Sequence, residues 1–240
     1  MSDLGAWTPP PRPAVCLAGA PDVVADLQAL APGAPANPAA PPSTAGAVVL
    51  VGRGCAAWMA GQGPALQALL AAGGRVIAAG LSAADAQALE QTCGVRLELQ
   101  EATAGGALLA GPLPTLLRGV GPAETHWRER RRVLTVSRVP EGGWSAPGGV
   151  LACVPAGKGT VVWLASLPSD FDPARRPDLI FTKVNTARLL SLVLTNCGLQ
   201  PAAPGWSAGL ATAAPAATDL PALYLDRRVP RDDPYAYMRW

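Results

Sequence analysis

Charged side chains are scarce in this chain. They make up 15% of its 240 residues, whereas soluble domains carry roughly 25%. The formal net charge is only +2, which gives no basis for a nucleic-acid partner. No apolar run reaches the roughly 18 residues that cross a bilayer. The first residues, Met1–Gly5, lack the basic start and apolar core of a signal peptide. We therefore expect a cytoplasmic protein with no membrane span.

Histidine and paired cysteines are also scarce. His126 is the only histidine. The five cysteines are dispersed and form no CxxC pair, which argues against a zinc site and against a disulfide framework. Neither GxGxxG nor GxxxxGK[ST] occurs, so the known phosphate-binding loops are missing. From these absences we expect no metal site and no cofactor.

The stretch Ala65–Leu89 organises the rest of the sequence. Leucines at helical spacing before Gly73-Gly74 predict a helix that ends at the glycine pair. The apolar run Arg75–Ala79 predicts a buried strand. Ser82 is placed to cap a second helix, Ala83–Leu89. This order of elements is typical of an open parallel sheet, where ligands bind at the carboxyl ends of the strands.

Hydrophobic patterning predicts further elements on both sides of this unit, in a domain spanning 14–199. The predicted strands are Ala14–Ala18, Ala47–Val51, Val95–Leu99 near a sheet edge, Val133–Val139, Gly149–Val154 and Thr160–Ala165. The predicted helices are Asp22–Leu30 and Val184–Cys197. We expect Val133–Val139 and Gly149–Val154 to pair as an antiparallel hairpin. We expect residues 1–13 to be an extended lead-in and 200–240 to be a Pro/Ala-rich linker with an aromatic tail.

Three segments together resemble a known family: Leu69–Gly80 (LLAAGGRVIAAG), Pro114–Val120 and Gly157–Ser166 (GKGTVVWLAS). They are similar to class I glutamine amidotransferase-like domains, which have a flavodoxin-like fold. The likeness is greatest to the accessory domains of bacterial glycoside hydrolases, including the trimerisation domain of some β-galactosidases. The resemblance implies a three-layer α/β fold with a mostly parallel central sheet, an antiparallel hairpin and an extended C-terminal tail.

The catalytic residues of that family have no counterpart here. An active amidotransferase places a cysteine nucleophile at the turn after a central strand, where this chain has Gly80-Leu81-Ser82. Its histidine and glutamate follow a later strand, where this chain has Ser166-Leu167-Pro168. The resemblance therefore implies a non-catalytic interaction or assembly module, accessory to a carbohydrate-active or other multi-subunit complex.

Two alternatives remain open at this point. A small hydrolase could use Ser82 or a cysteine as nucleophile with His126 as base, because His126 is the only imidazole. Alternatively, a small ligand could bind at the carboxyl ends of two strands. The candidate ligand-binding residues are Gly52, Arg53, Gly54, Gly80 and Ser82.

Contact residues are the last group that the sequence suggests. Arginines grip carboxylates and phosphates, and tryptophans are enriched at interfaces and stack on sugars. We expect a protein partner or self-association, with carbohydrate as a further ligand class. The interface candidates are Trp127, Arg128, Arg130, Arg131, Arg132, Tyr235, Tyr237 and Trp240. The aspartates Asp170, Asp172 and Asp178 match no ordered cation loop, so we interpret them as solvated loop residues.

Overall fold

A computed structural model describes residues 13–107, 109 and 111–199 of the chain. Residues 1–12 of the predicted lead-in, and the linker and aromatic tail with Tyr235, Tyr237 and Trp240, lie outside the described residues. Within them, no helix has the length and apolarity that a membrane crossing requires.

Six of the eight strands in the described part of the chain form one sheet in the order β1-β2-β3-β8-β7-β6. The strands are β1 Val15–Ala18, β2 Val48–Gly52, β3 Arg75–Ala79, β4 Glu98–Gly106, β5 His126–Arg138, β6 Trp144–Ser145, β7 Leu151–Ala156 and β8 Gly159–Leu164. The first four neighbours, β1, β2, β3 and β8, run parallel, whereas β7 and β6 continue the sheet antiparallel. All of β2 is buried, as its continuous apolar sequence predicts.

Helices cover both faces of this sheet. They are α1 Pro21–Leu30, α2 Ala56–Gly61, α3 Gly63–Ala71, α4 Ala83–Cys93, α5 Pro122–Thr125 and α6 Leu179–Asn196. Because side chains alternate along a strand, Leu50 faces the core shared with α1 and α6, and Val49 faces the core shared with α2, α3 and α4. The prediction of an α/β domain with a mostly parallel sheet is confirmed.

A short segment around Ala36 lies beyond β1 and forms a single parallel bridge to it. The Leu17 N–H donates to Pro35 O at 2.9 Å, and the Asn37 N–H donates to Leu17 O at 2.8 Å. The chain then returns towards β2 on the other face of the sheet, where Trp58 Nε1 donates to Pro38 O. The Ala36 segment thus lies on one side of β1, and β2 and the strands that follow it in the sheet lie on the other. The order in which strands are added to the sheet therefore reverses between β1 and β2.

The remaining strands, β4 and β5, pair antiparallel as a separate two-stranded ribbon. The predicted pairing of Val133–Val139 with Gly149–Val154 is wrong. The second segment instead pairs with β8 across a two-residue turn, a shorter loop to close. One hydrogen bond, from Val136 N–H to Gly149 O at 2.8 Å, joins the ribbon to that segment.

The predicted edge strand Val95–Leu99 is also wrong in position. Its strand begins at Glu98 and belongs to the ribbon, because β5 supplies the partner backbone and the arginines that pair with its glutamates. Val95 and Leu97 are buried in the core instead.

Candidate functional site

The carboxyl ends of β2, β3 and β8 meet at one edge of the sheet and open into a cleft. The turn Gly80–Ala83 forms one wall, and residues Arg131–Leu134 of the ribbon form the opposite wall. Arg53 and Asp170 close the cleft from the loops after β2 and β8. Its volume is about 270 Å³. Three of the predicted ligand-binding residues, Arg53, Gly80 and Ser82, line it.

At the turn after β3, the Ser82 hydroxyl is bound to Asp85. Ser82 Oγ donates to Asp85 Oδ2 at 2.5 Å, and the Asp85 N–H donates back to Ser82 Oγ at 3.3 Å. The Ser82 N–H also donates to Asp85 Oδ2 at 3.1 Å, which completes a capping box at the start of α4. The sequence predicts this capping role for Ser82, and the structure confirms it.

The Asp85 carboxylate also fixes the turn after β2. Gly54 N–H donates to Oδ2 at 3.0 Å, and Ala56 N–H donates to Oδ1 at 2.9 Å. Asp85 is 2% exposed. Burial by itself would raise the pKa of Asp85, but the Ser82 hydroxyl and the N–H groups of Gly54, Ser82 and Ala56 hold that pKa below its ordinary value. The ionised Asp85 carboxylate thus links the turns after β2 and β3.

Cys55, which lies beside the Asp85 carboxylate, is fully buried. Burial raises its pKa well above the ordinary range, and the neighbouring Asp85 carboxylate raises it further. A thiol must lose its proton to act as a nucleophile. Cys55 is therefore held in the unreactive form.

His126 lies outside the cleft. It is the first residue of β5, is exposed, and faces Gly106 across the ribbon. The residues that line the cleft do not include it. The structure does not bring His126 together with Ser82 in one enclosed cleft.

Gly52 and Gly54 serve packing. A side chain at Gly52 would overlap Val23 of α1, and one at Gly54 would lie 2.9 Å from the Ala20 side chain. Gly80 is similar, since a Cβ there would lie 2.9 Å from Leu167 Cγ. These glycines allow neighbouring loops to approach each other closely at the carboxyl edge.

The crevice between β1 and β2, where the order of elements reverses, is closed by hydrogen bonds between loops, two of them made by the Asn37 side chain. Gly19 N–H donates to Asn37 Oδ1 at 3.0 Å, and Asn37 Nδ2 donates to Gly19 O at 3.1 Å. Ala20 N–H donates to Arg53 O at 2.8 Å. Open α/β sheets commonly bind ligands at such a reversal, but here hydrogen-bonded loops occupy the position.

Arginines from two elements converge on Asp170. Arg53 Nη2 lies 2.6 Å from Asp170 Oδ1, and Arg131 Nη2 lies 3.9 Å from the same oxygen. The other oxygen, Oδ2, accepts the Leu167 N–H at 2.7 Å. The Asp170 side chain is 8% exposed. Asp170 is therefore an arginine-paired residue, and our interpretation of it as a solvated loop residue is wrong.

The predicted interface residues of the ribbon occupy different surroundings. Trp127 is buried, with its ring centroid 5.5 Å from that of Phe171. The Arg128 guanidinium lies 4.3 Å from the Phe181 ring centroid. Arg132 pairs with Glu101. Arg130 is exposed and donates to Thr103 O at 3.5 Å.

The chain matches no protein-family model, no curated protein and no solved structure. Among the described residues, no group of three or more His, Cys, Asp or Glu side chains has the arrangement of a metal site. The assignment of function therefore depends on the geometry of the carboxyl edge and of the ribbon.

Sequence reasoning missed two residues of this edge as site residues. Asp85 follows Ser82 by three positions, and that spacing is a capping-box signal that the sequence does show. The pairing of Asp170 with Arg53 spans 117 residues. No local sequence pattern indicates a contact between residues so far apart in the chain.

Proposed function

We propose that this chain is a non-catalytic module with a class I glutamine amidotransferase-like, flavodoxin-like fold, and that it works by self-association. The observation that carries the proposal is the Ser82–Asp85 pair. A residue at the nucleophile position is committed to capping a helix, and no imidazole lines the cleft in the described part of the chain.

The strand order supports the fold assignment. With the Ala36 segment counted beyond β1, the parallel part of the sheet has the order 2-1-3-4-5 of flavodoxin-like proteins. The family resemblance of Leu69–Gly80 and Gly157–Ser166 agrees with this order. Helices on both faces complete the comparison.

The ribbon supports the assembly role. The outer edge of β4 pairs with no other described strand, and such an edge is a template for contact with another chain. Arg130 of β5 is exposed, and no described acidic side chain lies within salt-bridge distance of it. An acidic surface of a second copy would complement this guanidinium.

Light scattering on the purified full chain tests the assembly role. We expect a mass above the 24.4 kDa of one chain, and we expect Arg130→Glu to lower it. The matched control is Arg96→Glu, an exposed arginine outside the ribbon, which should leave the mass unchanged. A strictly monomeric wild-type chain would overturn the assembly role.

A substrate panel of esters, amides and glycosides tests the non-catalytic part. We expect no turnover. Turnover that Ser82→Ala and His126→Ala each abolish, while the melting temperature shows a folded protein, would establish the hydrolase alternative instead. Binding of soluble oligosaccharides in the same preparation would test the carbohydrate expectation.

A further inference from the structure

The cleft at the carboxyl edge carries an unbalanced set of charges. The guanidinium groups of Arg53, Arg131 and Arg132 line it, against the carboxylates of Asp170 and Glu101. Arg132 pairs with Glu101. Arg53 and Arg131 share the single carboxylate of Asp170, so the residues that line the cleft carry one more positive than negative charge.

Neither of these two arginines is fully engaged by Asp170. A guanidinium has five N–H donors, yet Arg53 makes one hydrogen bond to this carboxylate, and its side chain is 49% exposed. Arg131 lies 3.9 Å from the same oxygen, beyond a hydrogen bond, and its guanidinium carbon is 5.3 Å from the Phe171 ring centroid. The Phe171 ring and Asp170 thus hold the Arg131 guanidinium in place while donors remain available.

We propose that this cleft binds a small oxyanion, the phosphate or carboxylate group of a small molecule, between Arg53 and Arg131. The volume of about 270 Å³ lies just below the range of ligand sites, roughly 300 to 1,000 Å³, so it suits a group of few atoms. The turn Gly80–Ala83 also lines the cleft and supplies backbone amides by which anion binding can be followed.

Asp170 acts in this site as an internal competitor. Its Oδ1 accepts a hydrogen bond from Arg53, while its Oδ2 accepts the Leu167 N–H. An incoming anion shares the guanidinium groups with Asp170 and is repelled by its charge. Removing either arginine should therefore weaken anion binding, whereas removing the charge of Asp170 should strengthen it.

Titration of the full ¹⁵N-labelled chain with inorganic phosphate, and separately with malonate, tests the site by ¹H–¹⁵N NMR. Sodium chloride at matched ionic strength is the control for general salt effects. We expect saturable shifts of the Gly80–Ala83 amides with at least one of the two anions. The anion that binds more tightly shows whether the site prefers a phosphate or a carboxylate group.

Four variants make the test specific. Arg53→Gln and Arg131→Gln should each weaken binding by about tenfold, because each removes a charge-assisted contact. Asp170→Asn should tighten binding, and its amide oxygen can still accept the Leu167 N–H, so the loop stays in place. Arg138 is an exposed arginine of β5, the strand that carries Arg131, and does not line the cleft. Arg138→Gln should therefore leave anion binding unchanged.

Several outcomes would overturn the proposal. They are equal shifts with chloride, no saturable binding of either anion, or Asp170→Asn weakening the binding. The Asp170→Asn arm keeps the test decisive if an arginine variant fails to fold, because it requires a gain of affinity. The self-association test uses Arg130, which lies outside the cleft, so the two proposals can fail independently.

Discussion

Ser82 and Asp85 hydrogen bond to each other in both directions at the start of α4. Ser82 Oγ donates to Asp85 Oδ2 at 2.5 Å and accepts the Asp85 N–H at 3.3 Å. The same carboxylate accepts the N–H groups of Gly54 and Ala56, so it joins the turns after β2 and β3. A position that could hold a nucleophile therefore holds a structural link.

Replacing Asp85 should destabilise the fold more than replacing Ser82. Asp85→Ala leaves the part-buried N–H groups of Gly54, Ala56 and Ser82 without this acceptor, and we expect a loss of about 3 kcal/mol in the free energy of unfolding. Ser82→Ala removes one cap and should cost about 1 kcal/mol. Urea denaturation of both variants measures the difference. Equal losses would show that the carboxylate does not join the two turns.

Acid should remove the stabilisation that Asp85 provides. Its pKa is lowered in the folded state, so the unfolded chain takes up the proton first and stability falls as the pH drops. We expect the advantage of wild type over Asp85→Asn to be full near neutral pH. It should shrink below about pH 4, the ordinary range for aspartate, and continue to shrink below that. Denaturant midpoints of both proteins from pH 7 to strong acid measure this, and a constant difference would refute it.

The five thiols should not react while the protein is folded. All of them are buried, and burial raises the pKa of Cys16, Cys93 and Cys153 to about 12 and that of Cys197 to about 11. The pKa of Cys55 is also raised, mainly by burial. A thiol-reactive dye at pH 8 should therefore label no cysteine in buffer and all five in denaturant. Labelling of any one at the rate of a free thiol would contradict this.

Gly149 and Gly94 form a matched pair for testing how the ribbon joins the sheet. Their φ angles are +66° and +67°, but only at Gly149 would a Cβ collide with the Val136 carbonyl, whereas Gly94 has open space. Gly94→Ala should cost about 1 kcal/mol of backbone strain. Gly149→Ala should cost about 3 kcal/mol or more, because overpacking adds to that strain. Denaturation curves with similar losses would show that the collision relaxes freely.

Local signals account for the elements that the sequence predicts well. The strand Arg75–Ala79 has the predicted bounds, α3 ends before Gly73-Gly74, and Ser82 caps α4. In each case the information lies within a few residues of the element. Helix α6 begins at Leu179, five residues before its predicted start at Val184. Asp178 at its N-cap position pairs with Arg176 and makes no side-chain cap, so this start lacks the capping box that marks α4.

Long-range pairing explains what the sequence could not predict. The polar segment Glu98–Gly106 has no apolar alternation, yet it forms a strand because β5 lies beside it. Arg132 and Arg138 of β5 meet Glu101 and Glu98 across the ribbon. The pairing of Arg53 with Asp170 also joins residues that are distant in the sequence. The sequence could therefore predict that a cleft lies at the carboxyl edge of the sheet, but not which side chains meet in it.

The single bridge at Ala36 has a consequence for how the sheet ends. Pro38 follows the bridge by two residues, and proline has no N–H to offer to a further strand. At the opposite border, β6 is two residues long. Both margins of the central sheet are thereby protected against uncontrolled growth into fibrils, and edge-to-edge polymerisation through this sheet is disfavoured at each side.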